Sequence, residues 1–204
     1  MKFSEFEHRL LKLKNKSLPG WKSHLELAPE NRLELLKQQI KSKKKDASVS
    51  LCFFPDSEQN TRLPLILRND YNGVHSNQIS FPGGKKDDRD INLINTAIRE
   101  TNEEIGLIEN EMKLQFKLTN IYIPPSNFLV RPFVFKVKSV PVIIPNEKEV
   151  SDVLLPKLSE ILELKIQYGP TVRMSQKNPY FLIKNHVVWG ATAMILNEFK
   201  TIFE

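Results

Sequence analysis

Gly83-Gly84-Lys85-Lys86-Asp87-Asp88-Arg89-Asp90 leads, through residues 91–98, into Arg99-Glu100-Thr101-Asn102-Glu103-Glu104-Ile105-Gly106-Leu107. The second half predicts a helix that begins near Asn92 and stops at Gly106, a residue suited to the left-handed conformation that ends many helices. Ile94, Ile98, Thr101 and Ile105 fall at i, i+4, i+7 and i+11 and share one narrow face that can pack on a sheet. Glu100, Glu103 and Glu104 fall at i, i+3 and i+4, so their carboxylates crowd together on a neighbouring face. Three like charges at that spacing repel one another unless a cation sits among them. All-oxygen ligation, with no cysteine or histidine cluster, selects hard ions, Mg²⁺ or Mn²⁺, rather than zinc, and Mg²⁺ readily shares its shell with substrate phosphates. Arg99 projects from another side of the helix, where a guanidinium can brace one of the carboxylates. The Gly83-Gly84 turn lets the backbone approach a ligand without side-chain obstruction, which makes both glycines candidate substrate-binding positions. A lone Glu-Glu pair is usually a solvated face and a lone Gly-Gly usually a turn; in this order and spacing they point to phosphate chemistry.

The rest of the chain sets the frame. Its 204 residues suffice for one α/β or α+β domain with a full core and are too few for two large ones. Hydrophobic residues at 40% and charged residues at 26% argue against a disordered or fibrous chain. The longest apolar runs, such as Leu51–Phe54 and Phe133–Phe135, fall far short of a bilayer span. The acidic opening Met1-Lys2-Phe3-Ser4-Glu5-Phe6-Glu7 has no apolar signal core, so an intracellular, cytoplasmic location with no membrane partner is expected. Cys52, alone in the sequence, reads as a buried strand residue before it reads as a nucleophile. A net charge of +6 permits an anionic partner, either nucleic acid or a small phosphorylated substrate. Lys41, Lys43, Lys44 and Lys45 read first as a solvated linker. No zinc-finger spacing, aromatic RNA-binding signature or Gly-rich clamp accompanies them, so nucleic acid is the minor reading.

Residues 3–14 predict a helix ended by Pro19-Gly20, and a second helix runs from about Pro29 to Lys41. Residues 1–46 are therefore expected as an N-terminal helical arm and 47–204 as the catalytic domain. Short β-prone runs at 47–54, 63–68, 78–81, 113–123 and 128–138 flank the glutamate helix. The segment after Pro145 reads as loop, followed by a short helix at 157–164, strand-like pieces at 179–188 and a final helix at 191–203. A mixed sheet flanked by helices fits this order.

The pattern from Gly84 to Leu107 resembles the Nudix box, with Gly84, Arg99, Glu100, Glu103, Glu104, Gly106 and Leu107 at matching positions. Thr101 stands where a hydrophobic residue is usual, Asp90 replaces a glutamate, and the stretch from Gly84 to Arg99 is one residue longer than the general pattern. The last two departures recur in the coenzyme A pyrophosphatase-like branch. The run from His75 to Lys85 is similar to that branch's upstream signature, with Asn77 where glycine is usual, and Thr96–Glu100 and Val188–Ala193 also resemble it. The resemblance covers residues 47–200. It implies the Nudix fold, a mixed β-sheet sandwiched between α-helices, and Mg²⁺-dependent (or Mn²⁺-dependent) hydrolysis of a nucleoside-diphosphate linkage. Glu100, Glu103 and Glu104 become the implied metal ligands and Arg99 their organiser. The branch implies coenzyme A or acyl-coenzyme A as substrate, with 3′,5′-ADP and 4′-phosphopantetheine as products. Glu103, Glu147 and Glu149 all stand as candidates for the general base. Two alternatives stand beside this reading: a Nudix hydrolase of ADP-ribose, NADH or another dinucleotide, and a non-catalytic nucleotide sensor, against which the intact glutamates weigh. A homodimer is compatible with any of them.

Outside the box, Arg68, at the end of a predicted strand, is a candidate phosphate ligand, with an ordinary surface arginine as the plain alternative. His75 reads first as a residue that fixes its loop by hydrogen bonds and second as a phosphate donor. Arg131 either reaches the site or caps a strand end. Trp189 and Phe81 read as core aromatics before they read as platforms for adenine; Tyr71 and Tyr122 are left open.

Overall fold

The computed structural model describes residues 1–13, 16–37, 43–69, 77–171 and 174–203. Three helices come first: α1 (Phe3–Leu13), α2 (Trp21–Leu25) and α3 (Arg32–Lys37). Strands β1 (Lys45–Pro55), β2 (Thr61–Arg62), β3 (Leu65–Arg68), β4 (Ile79–Ser80) and β5 (Gly83–Lys85) precede helix α4 (Leu93–Ile105). Then follow β6 (Met112–Lys117), β7 (Ile121–Ile123), β8 (Phe128–Val137), β9 (Val150–Leu154) and helix α5 (Leu158–Leu162). Strands β10 (Gln167–Thr171), β11 (Met174–Ile183) and β12 (His186–Trp189) and helix α6 (Gly190–Phe203) complete the chain.

Alternation along two long strands organises these elements. β1 and β8 pair in parallel, from Lys45 opposite Phe128 to Phe53 opposite Lys136. Successive side chains on a strand point to opposite faces. Leu51 and Phe53 of β1, with Val130 and Val134 of β8, accordingly join a core that also holds Phe199 and Phe203 of α6. Cys52 and Phe54, with Phe133, Phe135 and Val137, join a second core with Ala97 and Ile105 of α4. The mixed sheet is thus sandwiched between helices, as the sequence leads one to expect. Its order is β2-β1-β8-β6, with β5 antiparallel on β1 and β7 on β8; β4-β3-β9 and β10-β11-β12 form two smaller sheets.

The N-terminal helices pack as part of this architecture. Phe3, Phe6, Leu10 and Leu13 belong to the same core as Phe53 and Phe199, and the Phe6 ring lies 4.8 Å from Phe53 and 5.6 Å from Phe203. His24 of α2 meets Glu198 of α6 at 3.0 Å, with both side chains buried. Among the described residues, no packing boundary separates 1–46 from the remainder, and β1 already begins at Lys45.

Several boundaries differ from expectation for local reasons. The run 113–123 is broken into β6 and β7, and Pro132 of β8 lies beside the break. It accepts from the Leu118 N–H at 3.0 Å but has no N–H to return. β9 occupies part of the segment read as loop after Pro145, held by antiparallel pairing to β3. The helix expected to begin at Pro29 begins at Arg32 as α3, with 29–31 in a turn closed by the Arg32 N–H on the Pro29 carbonyl at 2.9 Å, and 38–41 lie outside the described residues.

Candidate active site

Helix α4 is fixed at both ends. The Asn92 carboxamide oxygen accepts from the Ile94 and Asn95 N–H groups at 2.8 and 3.1 Å, a strong N-cap. Gly106, with φ of 75°, ends the helix in the left-handed region. The segment before β9 docks on the last carbonyls, the Ile144 N–H donating to Ile105 and the Asn146 N–H to Glu104, each at 3.0 Å. Glu147 and Glu149 are thereby carried to the end of the glutamate helix.

The face that α4 buries is not the isoleucine stripe alone. Thr96, Ala97, Thr101, Glu104 and Ile105 are buried, while Ile94 and Ile98 are only partly covered. Thr101 tolerates a position that is usually hydrophobic because its hydroxyl donates to the Ala97 carbonyl one turn back, at 2.7 Å. Ser50 of β1 donates to the same carbonyl at 3.0 Å, which ties helix to sheet.

Glu104 is fully buried. One oxygen accepts from Arg68 Nη1 and the other from the Gly83 N–H, both at 2.8 Å. Burial pushes its pKa up to about 7, against the pull of Arg68 and the Gly83 amide. Glu100 lies against Gly84, so closely that a Cβ there would fall 2.3 Å from its Oε2. Burial raises its pKa as well; Arg99 opposes the rise, and the negative fields of Glu103 and Glu149 add to it. Glu103 is more exposed and accepts from Arg99 Nη1 at 2.8 Å. Arg99 also meets Glu100 at 2.8 Å and forks onto Asp90 at 2.9 and 3.0 Å. That fork holds Asp90 well below the usual carboxylate range. Arg99 therefore braces three carboxylates where the sequence suggested one.

Among the described residues, no three His, Cys, Asp or Glu side chains stand together as a ready metal cage. The donor chemistry nevertheless suits a hard divalent cation: Glu104 is buried and Glu100 partly so, burial and neighbouring carboxylates (Glu103 and Glu149 for Glu100, Glu100 for Glu104) disfavour both as anions, and both supply only oxygen. The structure brings both of them to the Gly83-Gly84 backbone and leaves Glu103 tied to Arg99.

Beside this site lies a cavity of about 500 Å³, mostly apolar, reached by Gly84, Arg68, Phe128 and Trp189. Trp189 is half-buried on its wall, whereas Phe81, expected alongside it as core, is indeed buried. Arg68 lines the cavity too, although its Nη1 serves Glu104. Arg131 pairs with Asp46 at 2.7 Å, and the Tyr122 hydroxyl donates to the Asn127 side chain at 3.0 Å. Cys52 is buried and its thiol pKa is pushed up by that burial, as a core residue's would be. His75 and Tyr71 lie outside the described residues. Sequence reasoning missed the polar residues that reach the cavity from outside the box, Asn31, Arg32, Ser48 and Ser80. Nothing in the local sequence marks Asn31, Arg32 or Ser48, and Ser80 lies within the His75–Lys85 run without being distinguished in it.

Known proteins resemble this chain in sequence and in fold. A mitochondrial coenzyme A diphosphatase, NUDT8 of Homo sapiens, is 36% identical over 129 residues, 60% of this chain and 54% of the relative. The matched segment thus spans about half the length of the human protein. An uncharacterized Nudix hydrolase, NudL of Yersinia enterocolitica, is 31% identical over 137 residues, 66% of this chain and 70% of the relative. The MutT protein of Methanosarcina mazei superposes with a TM-score of 0.52 over 80% of this chain and 96% of its own, at 15% identity, a likeness of fold alone. No helix among the described residues is long and apolar enough to cross a membrane. The NUDIX domain family matches residues 44–173, and the chain belongs to the Nudix family.

Proposed function

We propose that this chain is a divalent-cation-dependent diphosphatase whose substrate is coenzyme A or an acyl-coenzyme A, cleaved to 3′,5′-ADP and 4′-phosphopantetheine or its acyl form. The observation that carries this reading is the buried Glu104 and the partly buried Glu100, held against the Gly83-Gly84 backbone at the edge of a largely apolar cavity of about 500 Å³. The relative named a coenzyme A diphosphatase supports the choice of substrate.

Glu100 and Glu104, with Glu103 once it exchanges Arg99 for the ion, would hold Mg²⁺ or Mn²⁺. Bound there, the ion supplies charge neutralisation of the diphosphate and acidification of a water. Gly84 has no side chain, so the Glu100 carboxylate can lie directly on its backbone, where it would hold the ion next to the diphosphate. Arg99 keeps Glu100 aligned and leaves its fork on Asp90 intact. Of the loop carboxylates, Glu149 is the better base, because its field reaches Glu100. It would take the proton from water as the water oxygen attacks phosphorus and the bridging P–O bond breaks towards the departing phosphate. Glu103 is the alternative base.

The test offers coenzyme A, acyl-coenzyme A, ADP-ribose and NADH with Mg²⁺ or Mn²⁺ and resolves the products. Clear preference for ADP-ribose or NADH would remove coenzyme A as substrate. Glu104→Gln and Glu103→Gln are expected to abolish turnover with the fold retained; full activity in both would overturn the ligand assignment. No hydrolysis of any diphosphate, with nucleotide binding intact, would instead support a sensor.

A further inference from the structure

The cavity has a second polar end that the hydrolytic chemistry leaves unused. Arg32 of α3 is only 6% exposed. Its Nη2 donates to the Tyr122 carbonyl at 3.0 Å and its guanidinium lies 5.5 Å from the Trp21 ring, while Nε has no partner. A guanidinium stays protonated even where burial lowers its pKa, as it does here. The fold therefore keeps a buried cation with unmet hydrogen-bonding capacity, an arrangement that is costly without an anion. The carboxamide oxygen of Asn31 and the hydroxyls of Ser48 and Ser80 are also buried without partners, and all four residues line the same cavity. Carboxamide ends interchange, so Asn31 can present its N–H₂ to an anion as readily as its oxygen.

The sheet gives the scale. β5, β1, β8 and β7 are successive neighbours. Three strand spacings place β7, whose Tyr122 carbonyl anchors Arg32, about 14 Å from the strand that carries Gly84. That distance is too long for a diphosphate alone. It suits a nucleotide whose diphosphate lies at the glutamates while a further anionic substituent reaches across the cavity.

We infer that Arg32 and Asn31 form a subsite for a second, non-scissile phosphate monoester carried on the ribose of the nucleotide substrate. The inference rests on the diphosphatase reading for where the diphosphate lies. A monoester dianion offers several acceptor oxygens, enough to engage the free Nε–H and the Asn31 amide together. It gives the α3 segment, outside the glutamate box, the task of selecting 3′-phosphorylated nucleotides.

Calorimetric titration of 3′,5′-ADP and 5′-AMP into the wild-type protein, Arg32→Gln and Arg32→Lys tests this without requiring turnover. Wild type is expected to bind 3′,5′-ADP roughly 10- to 100-fold more tightly than 5′-AMP, the worth of hydrogen bonds to a charged group. Arg32→Gln should bring the ratio to within about threefold by weakening 3′,5′-ADP alone, and Arg32→Lys, which keeps the charge without the fork, should fall between. The same ratio should appear in kcat/KM for coenzyme A against dephospho-coenzyme A. An equal loss for both nucleotides would make Arg32 a structural anchor and overturn the subsite, as would wild-type protein that binds both equally. If Arg32→Gln does not fold, Arg32→Lys decides between the same outcomes. Hydrolysis of another diphosphate with no binding of either nucleotide would overturn the substrate reading and the subsite together, a result distinct from binding without discrimination.

Discussion

Replacing Gly84 by alanine separates the chemistry of the site from its architecture. A Cβ at that position would fall 2.3 Å from Oε2, 2.5 Å from Cδ and 2.7 Å from Oε1 of Glu100, so the carboxylate must move. It is the end of a flexible side chain. Moving it gives up the 2.8 Å contact with Arg99, a partly exposed pair worth about 0–1 kcal/mol. Against that loss, alanine restricts the unfolded chain and stabilises by ~0.4–1 kcal/mol. The two nearly cancel, and Gly84→Ala is expected to change unfolding free energy by less than about 1 kcal/mol. Gly83→Ala is the contrast. There a Cβ would lie 2.3 Å from the Ser48 carbonyl oxygen and 2.6 Å from the Val49 Cα, on a residue with φ of 152°. Backbone must yield, at a cost of at least ~3 kcal/mol. Displacing Glu100 should nonetheless lower the activity of Gly84→Ala by roughly 10- to 100-fold and raise the Mg²⁺ concentration needed. Urea denaturation and an Mg²⁺ titration of diphosphate hydrolysis measure the two effects separately. Unchanged activity and Mg²⁺ requirement in Gly84→Ala, or instability equal to that of Gly83→Ala, would refute the placement of Glu100.

Other perturbations probe other parts of the structure. Phe6→Ala should destabilise by ~3–5 kcal/mol, because its ring is fully buried between Phe53 and Phe203; a loss below about 1 kcal/mol would mean that α1 is a dispensable arm. Glu198→Ala leaves His24 and the Thr119 N–H without their common acceptor, and thermal or urea unfolding should register a loss of ~3 kcal/mol or more. Glu104 has a carboxyl pKa of about 7 in the fold against an ordinary value of 4.5 for the unfolded chain. Below 4.5 both states are protonated; as pH rises towards 7 only the unfolded chain ionises, so the ion-free protein loses up to ~3 kcal/mol of stability over that window. In EDTA, the melting temperature of Glu104→Gln should therefore gain on wild type as pH rises from about 4.5 to about 8, and a pH-independent difference would exclude a raised Glu104 pKa.

The sequence was most readable where local rules act. The α4 boundaries follow from the Asn92 cap and the Gly106 stop, and the proximity of Gly83 and Gly84 to the glutamates follows from their spacing in the box. Reading failed where a residue's role is set by a partner far along the chain. Val150–Leu154 has polar Ser151 and Asp152 at its centre and becomes strand β9 only by pairing with β3. Glu103 sits in the same charge cluster as its neighbours, yet the placement of Arg99 turns it outward. Arg32 looks like any charged residue of a short amphipathic helix; its burial depends on Tyr122, 90 positions away.

The parallel pairing of β1 with β8 also bears on how the protein reaches this state. Lys45 and Phe128 are register partners 83 residues apart, and β5, α4 and every glutamate of the box lie between them. Closing so long a loop is slow, because its entropic cost precedes any reward from the contacts it makes. Helix α4 can form early from its own caps, but the Gly83 amide and the Ser50 anchor that seat it come from strands that the closure must assemble. Assembly of the glutamate site is thus expected late in folding, and refolding followed by diphosphate hydrolysis should lag behind refolding followed by helical signal.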